Sequence, residues 1–199
     1  MRTARMVRIL AGLLALTALT GAPALAEKPG RGSAGAVAAD FDSDGYRAAR
    51  YRAPVDRAPH PARRIVLGKA LRLHATGRAL FIDVLPVEGG YRDRASGVWR
   101  LSQPHATIPG AQWHPETGRT APDPLLWTGL ARAVAAARKD DPRLPVVLFC
   151  RSDCWMGWNA ARRLGRGGVG RVYWLAEGID GWNGAGRALV DAAPVAIAE

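Results

Sequence analysis

Cysteine is scarce in this chain. Two residues, Cys150 and Cys154, are all that its 199 positions hold. Histidine is scarce too. His60, His74, His105 and His114 are scattered, and none has metal-ligand spacing to the cysteines, so no metal site is expected. The C-x-x-C-H signature of haem attachment is absent. Nothing reads as a cofactor site, and none is expected. Acids are outnumbered, 17 against 28 Lys and Arg, for a formal charge of +11. A basic surface fits acidic partners, anionic lipid or small anions, and an Arg- and Ala-rich composition bias accounts for it equally well. No nucleic-acid-binding module is recognisable, so nucleic acid is not an expected partner. Beyond the first residues no apolar run is long enough to span a bilayer, and no stable membrane insertion is expected.

The two cysteines lie four apart, in Val146-Val147-Leu148-Phe149-Cys150-Arg151-Ser152-Asp153-Cys154-Trp155. The apolar run 146–149 reads as a buried strand, and residues 155–164 read as a helix that stops at Gly165. Cys150 then ends a strand, and Cys154 sits at a helix N-terminus. Ligands in open α/β sheets collect at the carboxyl ends of strands. A helix N-terminus offers free N–H groups and the positive end of a dipole, which favour a thiolate. Three readings stay open: thiol or persulfide chemistry, a structural disulfide, and two free thiols holding a metal or cofactor. Residues at this spacing across a strand-to-helix loop come within disulfide range. A loop this short gains little entropic stabilisation, which weighs against a purely structural bridge.

The N-terminus reads as a cleaved export signal. Arg2, Arg5 and Arg8 form a basic region, residues 9–19 an apolar one, and Ala24-Leu25-Ala26 a cleavage signal, so residues 1–26 are assigned to a signal peptide. Loss of those three arginines leaves a charge of +8. The expected location is the periplasm, where disulfides persist. Residues 27–62 are expected to be a flexible leader followed by a lead-in with aromatic anchors, Tyr46 and Tyr51. Asp42-Ser43-Asp44-Gly45 lacks the later ligands of a calcium loop and reads as a turn.

From Ile65 strands and helices alternate. Residues 65–67 read as a strand, 68–75 as a helix ended by Gly77, and 79–85 as a central strand with Asp83 near its end. Residues 88–103 read as an irregular insertion. Ile108-Pro109-Gly110 is a turn into another short strand. Asp123-Pro124 is an N-cap and first-turn proline for a helix with Trp127, Leu130, Val134 and Ala137 on one face. Residues 172–175 are a late strand, followed by a glycine-rich turn at 177–182. Residues 191–199 are assigned to a tail. Such alternation predicts an α/β domain over residues 63–190, with a central parallel sheet and helices on both faces. Of the seven tryptophans, Trp127 and Trp174 are assigned to the core. Trp155 and Trp158 belong either to the core or to a pocket or docking patch.

Over about residues 65–187 the chain resembles the rhodanese-like family. The likeness rests on Leu80-Phe81-Ile82-Asp83-Val84, Ile108-Pro109-Gly110-Ala111, Cys150-Arg151-Ser152, and Val172-Tyr173-Trp174-Leu175 with Glu177-Gly178 and Gly181-Trp182, in that order. Cys154-Trp155-Met156-Gly157-Trp158-Asn159-Ala160-Ala161, with Gly45-Tyr46-Arg47 and Tyr51-Arg52-Ala53-Pro54, is similar to a narrower group. These are exported proteins named for a CXXCW motif and associated with PQQ-dependent alcohol catabolism. Three residues stand between the cysteines here, where that name implies two.

The resemblance implies a sulfurtransferase or thiol oxidoreductase in which Cys150 takes up sulfane sulfur as a persulfide; the spacing of Cys154 leaves two options, a disulfide with Cys150 or resolution of a persulfide or sulfenate on it. It places Arg151, Ser152, Asp153 and Trp155 around the substrate, with the loop amides as an anion cradle. The family usually has glycine where Asp153 stands and arginine where Trp155 stands, so thiosulfate is a poor expected substrate. The implied partners are a small sulfur donor or thiol and a periplasmic PQQ-dependent dehydrogenase or c-type cytochrome. PQQ itself would belong to the partner. The competing reading is a non-catalytic binding or assembly partner, with Cys150–Cys154 as a structural disulfide.

Overall fold

Four consecutive apolar residues, Val146–Phe149, are all buried. A strand with no polar face has to lie inside a sheet covered on both sides. The computed structural model, which describes residues 40–197, puts it there. Strands are β1 (Arg63–Ile65), β2 (Leu80–Asp83), β3 (Tyr91–Arg92), β4 (Trp99–Arg100), β5 (His105–Thr107), β6 (Gln112–Trp113), β7 (Val146–Phe149), β8 (Val172–Leu175) and β9 (Val190–Ala192). Helices are α1 (Leu67–Ala75), α2 (Pro124–Ala137), α3 (Trp155–Arg166) and α4 (Gly178–Gly184). Five strands form one sheet in the order β1-β8-β7-β2-β6, and every pair is parallel. The chain is therefore α/β with a central parallel sheet.

Alternate residues of each strand face opposite layers. On one face His74 of α1 and Trp182 of α4 pack on Phe81, with ring centroids 5.4 and 6.3 Å away. On the other face α3 lies against Trp174. A Cβ at Gly157 would stand 3.2 Å from that indole, so the small residue sets the closeness of helix to sheet. Arg163 of α3 reaches across to the Trp127 ring of α2. Burying Met156 and Leu164 on α3 contributes on the order of 1.5–3 kcal/mol each. Asp123 caps α2 by accepting from Leu125 N at 2.8 Å, with Pro124 in the first turn, as the sequence predicts.

Several boundaries differ from the sequence reading. The first strand ends at Ile65, because Val66 is the N-cap of α1 and is exposed. Helix α3 passes through Gly165 and stops at Gly167. Gly165 is small for a different reason: a Cβ there would sit 3.0 Å from the Ala62 backbone nitrogen. The insertion at 88–103 holds an antiparallel ribbon, β3 with β4. The glycine-rich segment after β8 is a short helix, α4, and not a turn. Trp127 is half-buried, and Leu126 joins Leu130 and Val134 on the buried face of α2. Near the C-terminus β9 pairs with β5, and Val195 N donates to Trp113 O at 2.8 Å.

The lead-in wraps α3. Asp42 Oδ1 accepts from Asp44 N and Tyr46 N, closing a turn. Arg47 lies 4.9 Å from the Trp155 ring and 5.2 Å from Phe41, and its charge meets buried Asp40 at 3.0 Å. Buried Asn159 accepts from Arg47 N and donates to Arg47 O and Gly118 O, which fixes the lead-in to the helix. Residues 1–39, on which the expected signal peptide and the start of the expected leader fall, lie outside the described residues.

Candidate functional site

The site begins where β7 ends. Cys150 follows the strand, and Cys154 is the N-cap of α3. Their Cα atoms are 6.3 Å apart and their sulfurs are joined as a disulfide. Cys150 is 0 % exposed and Cys154 2 %. The loop between them is held from three sides. Ser152 donates through its backbone N and its hydroxyl to Asp180 of α4, at 2.9 and 2.8 Å. The lead-in crosses as a strap: Trp155 N donates to Tyr51 O at 2.8 Å, and Ala53 N donates to Asp153 O at 3.0 Å. The Cys150 carbonyl accepts from Ile179 N at 2.9 Å. Gly178 lies on that carbonyl with φ +53°, and any Cβ there would overlap the oxygen.

Arg151 and Asp153 are exposed, Ser152 is half-exposed, and Asp153 takes the left-handed conformation, φ +50°. That is where a glycine would sit without strain, and aspartate tolerates it better than most residues. Asp153 does not cap α3, whose N-cap has no side-chain hydrogen bond. Trp155 departs from its expected place beside the substrate. Its ring is 2 % exposed and packs under Phe41, 5.2 Å away. Trp158 is buried as well and donates to Arg57 O, so neither indole lines a docking patch. Of the amides expected to cradle an anion, those of Ser152 and Trp155 already have protein acceptors.

A polar cluster stands beside the loop that the sequence reading left in separate pieces. In register with Phe149, Asp83 ends β2 fully buried. Its carboxylate accepts from Leu85 N at 2.9 Å, Thr107 Oγ1 at 2.6 Å and His105 Nε2 at 2.8 Å. His105 packs on Trp113, with ring centroids 4.2 Å apart, and lines a cleft of about 60 Å³ together with Arg151. The other histidines are accounted for differently. His74 meets Pro109 O at 2.7 Å, and His60 is exposed. His114 is buried, and desolvation lowers its pKa from 6.5 to about 4. No cluster of metal-ligating side chains occurs among the described residues.

Asp180 and the pairing of His105 with Asp83 were not assigned to the site from sequence, and Tyr51 was assigned only to the lead-in and not to the cysteine loop it holds. Asp180 stands 28 positions from Ser152, in a segment read as a turn, and no local pattern joins the two.

No family model matches the chain, and no curated protein matches it. Among solved structures, a full-length protein from Lactobacillus plantarum is 18 % identical over 65 % of this chain and 88 % of its own, with a TM-score of 0.40. The polysulfide-sulfur transferase homodimer of Wolinella succinogenes is 20 % identical over 65 % of this chain and 80 % of its own, also with a TM-score of 0.40.

Proposed function

We propose that this chain is an exported rhodanese-like protein whose Cys150–Cys154 pair performs thiol or persulfide chemistry in support of a periplasmic PQQ-dependent alcohol oxidation system. One observation carries the reading: the only two cysteines close a disulfide at the carboxyl end of the central parallel strand. The rhodanese-like motif order supports this reading, because the resemblance implies a sulfur-carrying loop at that point. The blocks behind the narrower resemblance also meet in space, since residues 45–47 and 51–54 bind α3 and the cysteine loop directly.

The chemistry balances without a metal. Exchange with an external dithiol, which is oxidised to its own disulfide as it supplies two electrons and two protons, reduces the Cys150–Cys154 bridge to two thiols. The Cys150 thiolate attacks a sulfane sulfur, and its donor leaves with the displaced electron pair. The Cys154 thiolate then attacks the inner sulfur of the Cys150 persulfide. Hydrosulfide leaves, and the disulfide described above forms again.

The alternative, a non-catalytic partner of a dehydrogenase or cytochrome with a structural bridge, draws on the burial of both cysteines and on the occupied loop amides. Closing so small a loop contributes only about 2 kcal/mol on the chain-entropy relation.

Mass spectrometry of the reduced protein after exposure to sulfane sulfur separates the two. One added sulfur is expected on the wild type, none on Cys150→Ser, and a retained persulfide on Cys154→Ser. If neither substitution alters labelling, the enzymatic reading fails and the binding reading stands.

A further inference from the structure

The amino ends of the parallel strands carry a feature that the cysteine chemistry does not use. The turn from α1 into β2, the segment before β7 and the residue before β8 enclose a groove of about 810 Å³. Lys69, Arg72, Arg78, Arg143 and Arg171 line it, against a single acid, Asp141. All five cations are exposed. Six arginines elsewhere find carboxylates, Arg47 and Arg50 on Asp40, Arg57 on Asp56, Arg64 on Glu177, Arg92 on Asp123 and Arg119 on Glu116, so what sets the groove apart is the gathering of five cations around one concavity. Among the described residues none of the five groove cations makes an ion pair. Asp141 is occupied locally, accepting from Arg143 N at 3.0 Å. Arg138, tied to Leu144 O and Gly170 O, has its pKa lowered chiefly by burial, opposed by the nearby Asp141 carboxylate and reinforced to a smaller extent by Arg171.

The groove is not uniformly polar. Leu73, Leu144 and Pro145 also line it, and each is at least half-buried. A cationic rim over apolar lining suits a chain that alternates carboxylates with apolar side chains. A bare phosphate polyanion leaves the apolar lining without a partner, and a flat anionic surface cannot enter a concavity. Arginine forks pair with carboxylates in a bidentate way, which adds geometry to charge.

We infer that this groove is a docking site for an acidic polypeptide segment of a partner protein. It lies at the opposite end of the sheet from Cys150, so a partner held there leaves the cysteine loop uncovered. The inference does not depend on what Cys150 does.

The test titrates the full chain with a labelled synthetic peptide that alternates glutamate and leucine, read by fluorescence anisotropy. Arg72→Glu with Arg143→Glu should weaken binding roughly tenfold or more, and Arg78→Glu alone should weaken it in the same direction. Arg94→Glu with Arg187→Glu changes net charge equally away from the groove and should have a much smaller effect. Replacing the peptide's leucines by serine should also weaken binding. Equal losses in the two double variants would reduce the effect to net charge and overturn the proposal. So would tighter binding of inorganic tripolyphosphate or anionic vesicles than of the peptide, or wild-type binding by the groove variants.

Discussion

The two ends of the parallel sheet are built on opposite plans. At the carboxyl end polar groups are answered, in the interior and at the surface: buried Asp83 by three donors, part-exposed Ser152 by Asp180, and the amide of Trp155 by Tyr51. At the amino end five cations are exposed, and among the described residues none makes an ion pair. The first plan fixes geometry, because each group has one place where its hydrogen bonds close. The second fixes little and leaves charge available for another molecule. The difference fits the two proposed roles, thiol chemistry at the carboxyl end and recognition of an acidic segment at the amino end.

Two glycines offer the sharpest way to break that contrast. Gly178 and Gly77 both have positive φ, +53° and +62°. Gly178 lies against the Cys150 carbonyl, whereas nothing stands within 4 Å of a Cβ built on Gly77. Gly178→Ala should therefore combine backbone strain with a collision in the packed loop, costing roughly 3 kcal/mol or more. Gly77→Ala should cost only the left-handed conformation, about 1 kcal/mol. Denaturant titration of both variants measures this. Equal losses would mean that the carboxyl end yields as easily as the amino end.

His114 tests the same contrast through pH. Its buried imidazole has a folded pKa of about 4 against 6.5 as its ordinary value. In the unfolded chain it takes up a proton below 6.5, and in the fold only near 4. Its neutral form therefore supports full stability above 6.5. Stability is lost as pH falls from there towards about 4, by about 3 kcal/mol for the one proton. In His114→Gln the slope of stability against pH over the upper part of that window should flatten. An unchanged slope would place the acid sensitivity elsewhere.

Much of this organisation was legible in the sequence, and the limits have physical causes. Strands β7 and β8 stood out because continuous apolar runs bounded by polar turns have few other uses. Helix α2 declared itself through Asp123 and Pro124. Helix α4 did not, because Gly178, Gly181 and Gly184 oppose a helix, and Ile179 and Trp182 form it by burying themselves in the core. The fate of Trp155 was hidden because its cover, Phe41 and Arg47, comes from a segment more than 100 positions earlier. The groove was hidden for the same reason. Its cations come from three separate segments, and composition alone reported only an excess of charge.

The smallest effect should come from Asp153. Its backbone is left-handed, φ +50°, so Asp153→Gly relieves a conformational cost, while glycine's greater freedom in the unfolded chain offsets the gain. The net change in stability should stay below about 1 kcal/mol. The side chain is exposed, so water and salt screen its charge from Cys150. Removing a carboxylate still acts in one direction, because a negative charge near the loop opposes both a thiolate and an anionic donor. On the Cys154→Ser background, the pH profile of Cys150 alkylation should move to lower pH in Asp153→Gly. The rate gain should be larger for an anionic alkylating reagent than for a neutral one, and raising the salt should diminish it. A profile that stays in place at low salt would show that Asp153 contributes loop geometry alone. The contrast between the two ends would then be one of packing, with charge acting only at the groove.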